Sequence, residues 1–166
     1  MVIRIKTCLL FITVLLGSAC ATRDVPKIAK QINEECGFEM QAARTAIRLR
    51  DQGKPKSFLT KGLAPIEKDS SRLLIKMHEI SEQVYAYQEL NEVVYATYHF
   101  ELCQRELQNK ARPASLQSVL PELLKCQQTF GLQSSVESTN CILAGIERQS
   151  INQPVNKNGV TDAANH

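Results

Sequence analysis

Residues 28–47, IAKQINEECGFEMQAARTAI, decide the fold. Ile28, Ile32, Cys36, Met40, Ala43 and Ile47 recur at three- and four-residue spacing, so one face of this stretch is apolar and the stretch is a helix. Asp24 can cap it, Pro26 sits in its first turn, where proline is tolerated, and Gly53 and Pro55 end it.

The same period continues outward. Ser57–Lys61 predicts a short helical turn closed by Gly62. A second long helix should start at Pro65 or Asp69, with Leu73, Met77, Ile80 and Val84 as its stripe and Leu74 beside it. A third spans Gln88 to Gln108, with Leu90, Val94, Thr97 and Leu102 inward. The break between them falls at Tyr85-Ala86-Tyr87, which holds neither glycine nor proline; a single run of about 40 residues would be unusual in a small domain. Pro113 stops the third helix and Ser115 caps a fourth, lined by Leu116, Val119, Leu120, Leu123 and Leu124. Pro121 inside that segment predicts a late start or a kink. After Gly131, Ser134 or Ser135 caps a last helix carrying Val136, Leu143 and Ile146; only Ser134, with Glu137 three residues on, would make a capping box. No alternating strand pattern and no internal repeat stands out. The predicted fold is all-α: one compact, disulfide-linked bundle of about five helices over 22–149, with a disordered tail over 150–166 rich in Asn, Gln, Gly and Ala.

The N-terminus predicts export. Arg4 and Lys6 precede an uncharged, largely apolar run from Thr7 to Leu16, then Gly17-Ser18-Ala19-Cys20-Ala21 supplies small residues in an A-x-A pattern. Residues 1–21 therefore read as a secretory signal peptide cut before Thr22. Its apolar run is too short to span a membrane, which takes about 20 residues. The competing reading is a bacterial lipoprotein cut before Cys20, which Ser18-Ala19-Cys20 resembles and from which Gly17 departs; in that case the protein is anchored to a membrane. The expected location is periplasmic or secreted, or membrane-anchored if Cys20 is lipidated. The formal charge of +3 falls to +1 without Arg4 and Lys6, so there is no electrostatic case for nucleic-acid binding.

Four cysteines remain in the mature chain: Cys36, Cys103, Cys126 and Cys141. Four allow three connectivities. Cys126 and Cys141 sit near facing ends of two helices joined by a short link, which favours a clipped hairpin and leaves Cys36 to bond Cys103. No C-x-x-C or paired-histidine motif is present, so an exported chain is expected to use them as disulfides and to hold no metal or cofactor. Charge patterning adds an orientation. Arg44, Arg48, Arg50, Lys54, Lys56 and Lys61 crowd one segment against Asp51 alone, while Met77 to Gln104 holds Glu79, Glu82, Glu89, Glu92 and Glu101 and no lysine or arginine. With Cys36 bonded to Cys103, an antiparallel pair sets Arg44 level with Tyr95 and Arg48 near Glu92.

No residue is expected to be catalytic. His78 with Glu82, His99 with Cys103, and Glu92 with His99 share helical faces, as charged amphipathic helices do by chance, and there is no G-x-S-x-G, H-E-x-x-H or phosphate loop. All four tyrosines, Tyr85, Tyr87, Tyr95 and Tyr98, fall within fourteen residues. They predict either a core edge or, with Glu89 and Glu92, a contact surface for a basic partner. The expected function is a non-enzymatic interaction protein of the bacterial envelope, with an inhibitor or immunity-type protein as one form and another exported protein as partner. A small-ligand carrier with a pocket between helices is the alternative, and a small hydrolase using His78 or His99 the third.

Overall fold

The computed structural model describes residues 25–151, with side chains from Ala29 onward. The leader, Asp24, Cys20 and the tail beyond Ile151 lie outside the described residues. Five long helices and one short one make up the order: α1 (Val25–Asp51), α2 (Lys56–Thr60), α3 (Arg72–Ala86), α4 (Glu92–Leu107), α5 (Leu116–Phe130) and α6 (Val136–Ile151). The chain is thus all-helical among the described residues, as its period requires.

Helix ends follow local chemistry. Gly53 takes φ +74°, its N–H bonds Arg50 O at 2.8 Å and Lys54 N–H bonds Leu49 O at 3.0 Å, a paired closure that suits glycine. α3 starts at Arg72, later than Pro65 or Asp69, because Ser71 is the residue whose side chain accepts from Leu74 N–H. α5 starts at Leu116 on a Ser115–Ser118 capping box and runs through Pro121 to Phe130, so the proline does not delay it. Pro121 is exposed, and the Gln117 carbonyl left without a donor belongs to an exposed residue that water can reach. Ser135, not Ser134, caps α6, accepting from Ser138 N–H at 3.1 Å. α6 also runs past the predicted start of the tail, with Ser150 buried inside it.

The break between α3 and α4 is real and is made by other helices. Arg50 of α1 donates to the carbonyls of Val84, Tyr87 and Leu90 at 3.3, 3.4 and 3.1 Å. Gln127 of α5 donates to Glu89 O at 2.8 Å and accepts from Asn91 N–H at 2.7 Å, and Asn91 caps α4. α4 therefore begins at Glu92 rather than Gln88.

Three contacts fix α1 against α4: Asn33 with Gln104, the Cys36–Cys103 bond, and Arg48 with Glu92. Residue numbers rise on one helix as they fall on the other, so the pair is antiparallel. α3 lies parallel to α1, since Arg72 reaches Glu35 and Glu39 while Arg50 reaches Val84. α5 and α6 form the clipped hairpin, joined by Cys126–Cys141 and by Arg148 to Glu122 at 2.6 Å. A Cβ at Gly145 would stand 2.9 Å from the Glu122 Cβ, so this close approach of α5 and α6 depends on glycine. Arg105 of α4 ties the hairpin on through Glu147. One core runs through all five long helices, with Ile47, Ile80, Val84, Leu90, Val94, Val119, Leu123, Ile142 and Ile146 buried.

Candidate functional site

α1, α2 and α3 do not close on one another completely. Between them lies a groove of about 370 Å³. Gln41, Ala42, Thr45, Ala46 and Leu49 form the α1 wall; Met77, Ile80 and Ser81 form the α3 wall; Phe58, Leu59 and Leu63 close the third side. Among the described residues no ionisable side chain lines it. Ser81 is internally satisfied, its hydroxyl donating to Met77 O at 2.8 Å. Phe58 is 52 % exposed, so a large ring stands at the mouth rather than inside the fold. Phe38 and Leu73, on the same helical faces as Ala42 and Met77, extend the apolar surface beyond the lining and are exposed as well. The sequence pointed only weakly here. Its signal was Phe58, Leu59 and Leu63 standing together in an otherwise polar, basic stretch with no helix long enough to bury them.

The tyrosine segment is divided by the structure. Tyr95 and Tyr98 are core residues, 0 % and 2 % exposed, and therefore cannot form a contact surface; their rings meet the His99 ring at centroid distances of 4.5 and 5.3 Å. Tyr95 also donates to Ile80 O at 3.2 Å. Tyr85 and Tyr87 are half-buried, with Tyr85 hydroxyl bonded to Lys54 O, and Glu89 is exposed. Glu92 is engaged by Arg48 through two bonds of 2.7 Å, the pairing expected from the charge runs. That bond holds the Glu92 carboxyl below its usual range. The six residues therefore do not make one surface.

The histidines are no more available. His78 Nε2 lies 2.9 Å from Ala64 O and so fastens the loop before α3. Its helical neighbour Glu82 pairs with Lys56. His99 is buried, Nε2 has no hydrogen-bond partner, and Cys103 beside it is in a disulfide. Neither histidine lines the groove. Among the described residues no cluster of three or more His, Cys, Asp or Glu is placed to hold a metal ion.

His99 makes the fold sensitive to acid. Burial, aided by the charge of Lys76, pushes its imidazole down to about 3. The unfolded chain takes up that proton near pH 6.5, the folded one does not, so stability is full above 6.5 and is lost as pH falls toward 3. This group alone should lower the unfolding free energy by about 2 kcal/mol between pH 7.5 and 5. Urea unfolding at the two pH values should show a change from pH 7.5 to 5 that is about 2 kcal/mol more unfavourable in the wild type than in His99→Leu. Equal declines in both proteins would remove His99 as the cause.

A second buried ionic feature lies at the junction of α1, α3 and α4. Arg72 stands 2.7 Å from Glu35, 2.6 Å from Glu39 and 3.1 Å from Glu106. Glu39 is 2 % exposed and meets Arg72 as an ion contact without hydrogen-bond alignment. Burial raises its carboxyl above the ordinary range, and the charges of Arg72 and Lys76 oppose the rise. Lys76 and Arg112 complete the cluster by pairing with Glu106.

Among the described residues no helix is long and apolar enough to cross a membrane. No protein-family model, curated protein or solved structure matches the chain.

Proposed function

We propose that this is an exported, non-enzymatic binding protein of the bacterial cell envelope, and that its binding element is the groove between α1, α2 and α3. The observation that carries the reading is an apolar cleft at the lower end of ligand-pocket volumes, open to solvent at Phe58 and held between helices. Export is supported by the leader and by two disulfides, which persist in oxidising compartments. The protein is then periplasmic or secreted, or membrane-anchored if Cys20 carries a lipid. A carrier of small apolar ligands fits this cleft better than an inhibitor or immunity-type protein reading its partner through the tyrosines, because Tyr95 and Tyr98 are enclosed.

A neutral apolar dye such as Nile red tests the reading. Wild-type protein should bind it saturably at one site. Thr45→Trp, which sets a large ring in the cleft from an exposed position, should weaken binding at least tenfold with an unchanged melting temperature. A wild type that does not bind, or a Thr45→Trp variant that binds equally well, overturns it. Intact mass of the protein from an envelope fraction separates a chain starting at Thr22 from one starting at a lipidated Cys20.

A further inference from the structure

We propose that the groove takes the single hydrocarbon chain of a fatty carboxylate, whose head is received by Lys54 and Lys61. This rests on the groove being the binding element and adds the class of ligand.

The shape favours a chain. From Gln41 to Leu49 the α1 wall runs about 12 Å, at roughly 1.5 Å per residue, with α3 parallel alongside. The α3 wall covers Met77 to Ser81, about 6 Å at the same rise, so the two parallel walls bound a trough in their common direction. Its floor offers methyl, methylene and thioether groups from Ala42, Ala46, Leu49, Leu59, Met77 and Ile80. Those surfaces give a hydrocarbon chain its affinity through area removed from water and ask for no hydrogen bond. The modest volume suits one chain better than the two of a phospholipid.

The charge at the α2 side selects the head. Residues 52–66 hold Lys54, Lys56 and Lys61 and no aspartate or glutamate. Lys56 is committed to Glu82. Asp51 and Glu67 flank this segment, and Asp51 is held by Arg50 at 2.8 Å. Lys54 and Lys61 have no carboxylate partner among the described residues. The Lys54 ammonium lies 5.5 Å from the centroid of the Phe58 ring, at the cleft mouth. Its backbone is anchored on both sides, the N–H to Leu49 O and the carbonyl to the Tyr85 hydroxyl. Lys61 is exposed and stands two residues from each of the lining leucines Leu59 and Leu63. A carboxylate emerging past Phe58 therefore meets the Lys54 ammonium, with exposed Lys61 in the same short segment, and an ammonium there would be repelled.

Displacement of Nile red below the critical micelle concentration tests this with three heads on one chain: dodecanoate, dodecanol and dodecylammonium. Dodecanoate should compete about fivefold better than dodecanol in the wild type, the worth of two exposed lysines, and dodecylammonium worst. Lys54→Glu/Lys61→Glu should abolish or reverse that order and leave dodecanol unchanged, while Thr45→Trp should weaken all three. If dodecanol matches dodecanoate and the lysine variant changes nothing, the fatty-carboxylate assignment falls and the groove stands. If Nile red binds but none of the three displaces it, the assignment falls as well. If the dye itself does not bind, both readings fall. Sedimentation with anionic phospholipid vesicles that exceeds dodecanoate binding and survives Thr45→Trp would make the lysines a membrane contact and overturn the proposal.

Discussion

Replacing Arg72 with leucine should lower the unfolding free energy by about 3–5 kcal/mol, the cost of leaving a buried carboxylate without its partner. Among the described residues Arg72 is the one side chain that touches Glu35, Glu39 and Glu106 together, joining α1 and α4 to α3. Glu39 is the member that cannot turn to water, at 2 % exposure. Lys76 and Arg112 still pair with Glu106, which places the loss at the lower end of the range. The sign of its pH dependence follows. The Glu39 carboxyl is already raised in the folded protein, so its stabilising contribution is full below the unfolded value near 4.5 and is lost as pH rises through the folded value. Without Arg72 that value rises further, so the deficit of Arg72→Leu should be largest near pH 8 and shrink toward pH 5. Adding Glu39→Gln to Arg72→Leu should recover much of the loss, because a neutral amide costs less to bury than an unpaired charge. Urea unfolding of the two single variants and the double variant gives the coupling. Additive losses would mean that Arg72 and Glu39 are not coupled.

Removing the Cys36–Cys103 bond, as Cys36→Ala/Cys103→Ala, should cost about 4 kcal/mol on the chain-entropy model, and removing Cys126–Cys141 about 3. The first closes a far longer loop, at a sequence separation of 67 against 15. It also ties α1 to α4, the antiparallel pair on which the rest of the bundle packs. Both cysteines are buried, so alanine rather than serine avoids leaving hydroxyls without partners. Denaturant unfolding of both double variants gives the comparison. A larger loss from the hairpin bond would show that the long loop keeps compact structure when unfolded, where chain entropy no longer sets the order.

Much of this fold is written in local pattern. Apolar residues at helical spacing gave the five long helices, and opposed charge runs gave the antiparallel pair and the Arg48–Glu92 contact. The features that stayed hidden depend on partners distant in sequence. The α3–α4 break has no local breaker, because Arg50 and Gln127 stabilise it from other helices. Glu39 lay within the apolar stripe of α1, three residues after Cys36 and four before Ala43, and that placement was a readable sign of burial. Its partner Arg72 was not readable, since it opens α3 from a loop whose end Ser71 defines. The tyrosines looked alike in sequence; helix phase put Tyr95 and Tyr98 inside, and their position around the break left Tyr85 and Tyr87 at its edge. The groove escaped because it is a failure of three elements to meet, and no single element records that.

The two disulfides lie one after the other along the chain, and neither loop encloses a cysteine of the other. Of the three pairings that four cysteines allow, this is the one reached by joining each second cysteine to its predecessor. If the chain is exported as proposed, threading N-terminus first presents Cys36 and Cys103 to the oxidising compartment before Cys126 and Cys141 appear. A catalyst that only oxidises thiols can therefore complete the native set in order of arrival, with no bond to be undone and remade. Because the rings are in series rather than interlocked, opening one leaves the length of chain closed by the other unchanged.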